Sequence, residues 1–341
     1  MRIGITYDLK RPLSPESIID SEMDEEYDSP LTIEAISKAL LEKGHEPVKL
    51  GNALELLGKI REAEVDFVFN IAEGSAGRNR ESHVPSMLEI FKIPYSGSDP
   101  LSLGMALDKT VTKRIAFQAG IPTPRYLVLS SVAEAGIAGK RLVFPLIIKP
   151  AWEGSSKGIY NGSRVFDIYG LFKAAQLLFE KYPGHPIMAE EYIEGREVTV
   201  GLLGNSPMRV LGMMEILNKV SSGEDVFYSL ETKRNWERLV DYSSPPDLPS
   251  ITLKHLKYYS LLAWRHFNLR DVARVDFKIS SNGRIYMLEI NPLPGLSPEY
   301  SDLVIMARKN GMGYNELIGS ILEAALSRYR SGRGEYLYEK V

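Results

Sequence analysis

Cysteine is absent from this 341-residue chain. Its absence excludes disulfides, thiolate metal sites and cysteine nucleophiles, and it fits a reducing compartment. Long apolar runs are absent too: none approaches the ~18 residues that a membrane span needs. The start, Met1-Arg2-Ile3-Gly4-Ile5, leads straight into a β-rich run without the basic opening and apolar stretch of a signal peptide. A cytoplasmic protein is expected. Net charge is only −3, from 41 basic and 44 acidic residues, so no global field draws the chain to nucleic acid or to anionic lipid. Two nucleotide-binding motifs are missing as well. The first strand leads to no Gly-x-Gly-x-x-Gly turn, which argues against a nicotinamide-dependent enzyme, and there is no Walker A loop. The five histidines (His45, His83, His185, His255 and His266) have no metal-ligand spacing.

What is present first reads as an α/β fold. Residues 2–8, 46–51 and 66–72 are strand-like, separated by helical patterns at 30–43 and 53–63. This order predicts a doubly wound parallel sheet, with ligands beyond the carboxyl ends of the strands. In the helix at 30–43, Leu31, Ile36, Leu40 and Leu41 are expected on or near one face. The loops 9–29 and 73–82 lie at the ligand-facing position. A second unit begins near Ala106 with a helix at 107–119, then strands near 126–130, 145–151 and 187–193. A third is β-rich, at 197–204, 208–216, 272–280 and 284–292. The expected units are therefore 1–105, 106–196 and 197–330, with 331–341 a polar tail.

The segment Leu146-Ile147-Ile148-Lys149-Pro150 delivers a lysine into the small-residue loop Glu153-Gly154-Ser155-Ser156-Lys157-Gly158. Backbone N–H groups in such a loop approach phosphate oxygens closely, because little at Cβ intervenes. An ordinary turn is the plainer reading. Asp108-Lys109 opens a helix upstream. Downstream, Glu190-Glu191-Tyr192-Ile193-Glu194-Gly195-Arg196-Glu197 is a strand edge and turn able to offer donors and acceptors to a base and its sugar, or simply a polar hairpin.

Near the C-terminus, Arg274-Val275-Asp276 alternates, as does Glu289-Ile290-Asn291 across the turn Ser281-Asn282-Gly283. Alternation puts Arg274 and Asp276 on one face of a strand, and Glu289 and Asn291 on one face of its partner. Hard oxygen ligands that leave room for water and phosphate suit Mg²⁺. A salt-bridge cluster around Arg274 is the structural alternative. Pro292-Leu293-Pro294-Gly295 follows, a rigid turn presenting the Gly295 N–H.

Taken in order from about Pro94 to Tyr314, these segments resemble the ATP-grasp superfamily, and within it the D-alanine–D-alanine ligases. The resemblance rests on Pro94-Tyr95-Ser96-Gly97-Ser98, Leu107-Asp108-Lys109, Lys149-Pro150 with Glu153 to Ser156, Glu190 to Glu197, Arg274-Val275-Asp276, and Leu288 to Asn291 with Pro294-Gly295. It implies a three-domain ATP-grasp fold and an ATP-dependent carboxylate–amine ligase acting through an acyl phosphate. It implies Lys109 and Lys149 on ATP phosphates and the Gly154–Gly158 loop, with Glu153, Ser155 and Ser156, closed over them. Glu190, Glu191, Tyr192 and Ile193 would border the adenine, and Glu197 the ribose. Asp276, Glu289 and Asn291 would bind two Mg²⁺, with Mn²⁺ able to stand in. Arg274 and Gly295 would stabilise the oxyanion, Lys233 would hold phosphate from a mobile loop, and Ser155 would orient substrate. Partners implied are small amino-acid or peptide substrates and a second copy of the chain.

The departures fall on the substrate loops. Where relatives carry a glycine-rich segment with an ammonium-binding glutamate, this chain has Leu9 to Glu16, then six acidic side chains between positions 20 and 28. That run is expected to be a solvated mobile loop, or an electronegative gate for a cationic or larger amine; Glu16 is the candidate for the glutamate's role. The family's Gly-Glu-Asp-Gly is replaced by Glu73 to Glu81. Arg78 and Arg80 there are candidates for a substrate carboxylate, an ATP phosphate or the acidic loop. Tyr300-Ser301 stands at the serine-leucine step that clasps the second substrate, and Arg234 replaces the tyrosine after the mobile-loop lysine. These changes motivate a second reading, a non-catalytic ATP-binding regulatory module that signals by domain closure.

Overall fold

The computed structural model describes residues 1–11, 22, 24–219 and 229–330. The first sheet is parallel, with strands β1 (Arg2–Thr6), β2 (Glu46–Gly51) and β3 (Phe67–Asn70) in the order β2-β1-β3. It is wound on both faces. Ile3, Ile5, Phe67 and Phe69 pack with the helices Pro30–Glu42 and Tyr314–Arg330, while Leu50 and Val68 pack on the other side with Leu56 and Leu88. This is the expected α/β architecture.

Ser29 caps the first helix by accepting from the Thr32 N–H at 3.3 Å, with Pro30 in the first turn. The expected face needs correction. Leu31 and Leu41 are 48% and 57% exposed, whereas Ile33, Ile36, Ala39 and Leu40 are buried. Leu31 lies five residues from Ile36, which at 3.6 residues per turn rotates it away from the core.

The chain continues through β4 (Tyr126–Leu129), β5 (Leu146–Pro150), β6 (Arg164–Val165) and β7 (Ile187–Glu191), an antiparallel sheet in the order β4-β7-β5-β6. Five more strands follow: β8 (Gly195–Leu203), β9 (Arg209–Asn218), β10 (Val240–Ser243), β11 (Val272–Ser280) and β12 (Ile285–Asn291), antiparallel in the order β10-β9-β8-β11-β12. Their alternate residues Val198, Val200, Val275 and Phe277 bury against Trp264 and Phe267 of the helix Ser250–His266 and the residue that follows it. The expected helix at 107–119 is two helices, Pro100–Leu107 and Lys109–Gln118. Asp108 separates them in an extended conformation, and its carboxylate accepts from the Thr110 and Val111 N–H groups at 2.8 and 3.1 Å. A side chain that competes for backbone donors in this way starts a helix rather than continuing one. Among the described residues no helix is long and apolar enough to cross a membrane.

Candidate active site

The hairpin of β11 and β12 sets the register on which the site depends. Arg274 lies opposite Asn291, and Asp276 opposite Glu289. The Arg274 guanidinium reaches Asp276 at 3.0 Å and Asp302 at 3.2 Å. Asp276 also accepts from the Thr199 hydroxyl at 2.6 Å and from the Asn291 amide at 2.9 Å. Burial raises the Asp276 carboxyl's hold on its proton, Arg274 opposes this, and the Glu289 charge adds to it. Burial also acts against ionisation of Glu289, but Lys109 and Lys149 outweigh it and hold that carboxyl below its usual range. Lys109 approaches Glu289 at 3.7 Å.

Among the described residues no cluster of three or more histidine, cysteine, aspartate or glutamate side chains is placed to hold a metal. Two crowded carboxylates and an amide nonetheless fit a hard cation that keeps positions open for water and phosphate oxygens.

Two cavities meet at this hairpin, with Lys109, Ser156, Glu197, Asp276 and Glu289 lining both. The smaller, about 110 Å³, is bounded by Lys149, Tyr192 and Ile193. Lys149 is the penultimate residue of β5 and reaches Glu190 at 3.3 Å, and Lys113 reaches the same carboxylate at 3.1 Å. Burial opposes charge on Glu190, yet the two ammonium groups prevail and hold it ionised; burial pushes Lys113 down to about 8. The sequence reading missed Lys113. Its signal was the four-residue spacing from Lys109, one turn along the same helix.

Glu191 pairs with Arg125 at 3.1 Å and accepts from the Val143 N–H at 3.0 Å. Glu197 lies 3.5 Å from Lys278, and burial pushes it up to about 7, with Lys278 opposing and Asp276 and Glu289 reinforcing.

The glycine-rich loop has Ser155 and Ser156 in left-handed conformations, at φ 51° and 61°. Gly158 sits at φ 74°, where a Cβ would stand 2.5 Å from the Pro150 ring, so the loop's second glycine is sterically required. Lys109 donates to the Glu153 carbonyl.

The larger cavity, about 430 Å³, is lined by Arg274, Gly295, Tyr300, Ser301, Lys233 and the acidic residues Glu25, Glu26, Asp28, Glu73 and Glu81, among others. Ser301 Oγ accepts from the Ser297 N–H at 2.9 Å, and Lys10 lies 5.4 Å from the centre of the Tyr300 ring.

The expectation of a solvated acidic loop fails for the acids that the structure describes: Asp24 pairs with Arg11 at 2.9 Å, the Asp28 carboxyl is buried, and three glutamates find counter-ions. Glu26 is buried against Arg80 and Lys157, both at 2.8 Å, and accepts from the Gly154 N–H at 3.0 Å. Glu22 is held by Lys181, Tyr160 and Tyr182 at 2.6, 2.7 and 3.1 Å, and Glu25 by Arg234 at 2.6 Å. Counter-ions on three separate elements draw the run inward. Of the roles weighed for Arg80, the structure brings together its pairing with the acidic loop. Arg78 is turned elsewhere, to Asp108 at 2.7 Å and over the Trp152 ring. Glu16 lies outside the described residues.

Asp28 carries a pH dependence. Burial pushes its carboxyl up to about 7 from 3.8, against the Thr32 hydroxyl and Lys10. An acid with a raised folded-state pKa binds its proton more tightly when folded, so stability falls as pH rises from 3.8 to about 7. Asp28→Asn should therefore gain stability relative to the parent over that window, by roughly 2–4 kcal/mol. Urea denaturation at pH 4 and pH 7.5 measures this; an unchanged difference between the two pH values would refute it.

The comparisons agree with this architecture. A family model described as D-Ala D-Ala ligase C-terminus matches residues 115–323. A D-alanine–D-alanine ligase of Aquifex aeolicus is 34% identical over 291 residues, covering 85% of this chain and 93% of that protein. An uncharacterised protein of Sinorhizobium fredii is 36% identical over 262 residues, 77% of this chain and 75% of its own. The crystal structure of a D-alanine–D-alanine ligase from Bacillus anthracis complexed with ATP matches with a TM-score of 0.72 and 25% identity, over 98% of this chain and 100% of that one. With that coverage, a matched family model and the same fold, the chain belongs to the D-alanine–D-alanine ligase family and is an ATP-grasp ligase.

Proposed function

We propose that the chain joins the carboxylate of one amino acid to the amine of another through an acyl phosphate, as a D-alanine–D-alanine ligase or a closely related dipeptide ligase with altered substrate choice. The observation that carries this reading is the paired register of Arg274 with Asn291 and Asp276 with Glu289, beside Lys109 and between the two cavities. ATP fits with its adenine in the smaller cavity, against Ile193 and the 190–192 strand edge, and its ribose near Glu197. Its phosphates run toward Lys149, Lys109 and the Gly154–Gly158 loop. Asp276, Glu289 and Asn291 would hold two Mg²⁺. When bound, these ions neutralise charge on the β- and γ-phosphates.

The remaining work belongs to the chain's own groups. Phosphoryl transfer needs positioning and neutralisation rather than a protein nucleophile. A substrate carboxylate oxygen bonds to the γ-phosphorus, and the bond to ADP breaks. The amine nitrogen then bonds to the activated carbonyl carbon. Arg274 and the Gly295 N–H stabilise the oxyanion, the nitrogen loses a proton and phosphate leaves. Lys233 steadies phosphate, and Ser155 orients substrate. Tyr300 and Ser301 border the second substrate. On this reading the chain has the units 1–105, 106–196 and 197–330, a division that the presence of three separate sheets supports. The resemblance also supports a homodimer formed through the N-terminal unit and a cytoplasmic location.

The test is a screen of D- and L-amino acids, singly and in pairs, for phosphate release from ATP with Mg²⁺, with product mass measured. A dipeptide mass with stoichiometric phosphate is expected. Silence from every pair would overturn dipeptide synthesis.

A further inference from the structure

We propose that this ligase takes an amino acid bearing a cationic side chain, with Glu73 and Glu81 supplying the counter-charge for its second ammonium group. The inference rests on the ligase reading above and narrows its substrate class.

Glu73 and Glu81 both line the larger cavity. Glu81 is 8% exposed, and the two carboxylates lie close enough to act on each other. Among the described residues neither carboxylate has an ion pair or a hydrogen bond. The neighbouring charges do not balance them. Arg80 is shared between Glu26 at 2.8 Å and Glu153 at 3.5 Å. Lys157 is likewise shared between Glu26 at 2.8 Å and Glu153 at 2.5 Å. Four carboxylates (Glu26, Glu73, Glu81, Glu153) thus face two cations (Arg80, Lys157), which leaves two negative charges over.

The other local bases are committed elsewhere or shared: Lys233 faces Glu25 and Glu26, Lys10 faces Asp28, Lys109 is shared between Glu289 and Glu81, and burial lowers the pKa of His185 beside Glu153. The segments 12–21 and 220–228 contain no lysine or arginine.

Unneutralised charge in a buried pocket is costly, so such a pair binds protons or a cation. One α-ammonium supplies a single positive charge, as any amino acid does. A diamino acid supplies both. Its two ammonium groups would sit on the acidic side of the cavity, with its carboxylate toward Arg274.

The experiment uses the full chain at pH 8 with ATP and Mg²⁺. It compares lysine, ornithine and 2,3-diaminopropionate with alanine, in both chiralities, in the parent, Glu81→Gln and Glu73→Gln. A charge-assisted hydrogen bond lost in the wrong substrate predicts about a tenfold or greater preference in kcat/KM for a diamino acid. Glu81→Gln should bring that ratio close to parity. Both variants should also melt at a higher temperature than the parent without ligand at pH 8, since each removes an unneutralised buried charge; this readout stands even for a variant without turnover. Alanine matching the diamino acids, a preference unchanged in both variants, or lower melting temperatures in both would overturn the proposal and leave the ligase intact. Absence of turnover with every amino acid would overturn the ligase reading and this proposal with it.

Discussion

Asp276→Asn should lower kcat by about 10²–10³-fold while leaving the fold in place. The substitution is nearly isosteric. The new amide oxygen can still accept from Thr199, which approaches at 2.6 Å, and from Arg274. What disappears is the negative charge, together with the Oδ2 acceptor of Arg274 and Asn291. In the ligand-free protein that charge is poorly tolerated, because burial and Glu289 both press the carboxyl toward its protonated form. A buried carboxylate pressed toward its protonated form beside a second one held ionised is an arrangement suited to a cation. Stopped assays across a Mg²⁺ titration would show the loss shrinking at high Mg²⁺, because weaker affinity is partly overcome by concentration. The salt-bridge alternative predicts the opposite pattern: a loss of stability of roughly 1–3 kcal/mol with turnover intact. Turnover within tenfold of the parent would exclude the metal-binding role.

The features legible in the sequence are those in which local pattern and chemistry coincide. Alternation in Arg274-Val275-Asp276 and Glu289-Ile290-Asn291 specified which side chains share a face of each strand, but the turn alone would pair Asp276 with Leu288; a bulge between Asp276 and Phe277, which the sequence does not announce, shifts the register so that Asp276 meets Glu289. Lys149 was legible because it stands near the end of an apolar strand just before a small-residue loop. Elements whose cause lies elsewhere in the chain were not legible. The break at Asp108 follows from a single capping side chain within an otherwise continuous helical pattern. The buried seat of Glu26 depends on Arg80, 54 residues away, and on the Gly154 N–H, 128 residues away. Composition marks such a run as acidic and therefore solvated. Only the tertiary arrangement shows that its counter-ions wait on other elements.

That network yields the largest expected stability effect. Arg80→Leu should destabilise the protein by roughly 3–5 kcal/mol, the cost of leaving a buried carboxylate without its partner. Burial works against ionisation of Glu26, yet Arg80 and Lys157 together hold its carboxyl at about 2. Without Arg80, Lys157 must serve both Glu26 and Glu153, and the Trp152 carbonyl loses a donor at 2.8 Å. The sign of the pH dependence follows from the depressed value. The stabilisation from Glu26 is present above its ordinary pKa of 4.5 and is lost as pH falls toward about 2. In Arg80→Leu this acid-side loss should be much smaller, so the two proteins should differ most near neutrality and converge toward pH 3. Adding Glu26→Leu to Arg80→Leu should recover at least about 1 kcal/mol, because a buried pair replaced on both sides by apolar groups costs far less than one broken on one side. Urea midpoints for the four members of this cycle, at pH 3.5 and pH 7.5, measure the coupling directly. A double variant no more stable than Arg80→Leu alone would mean that the acidic segment is held by its backbone, with the ion pair incidental to it.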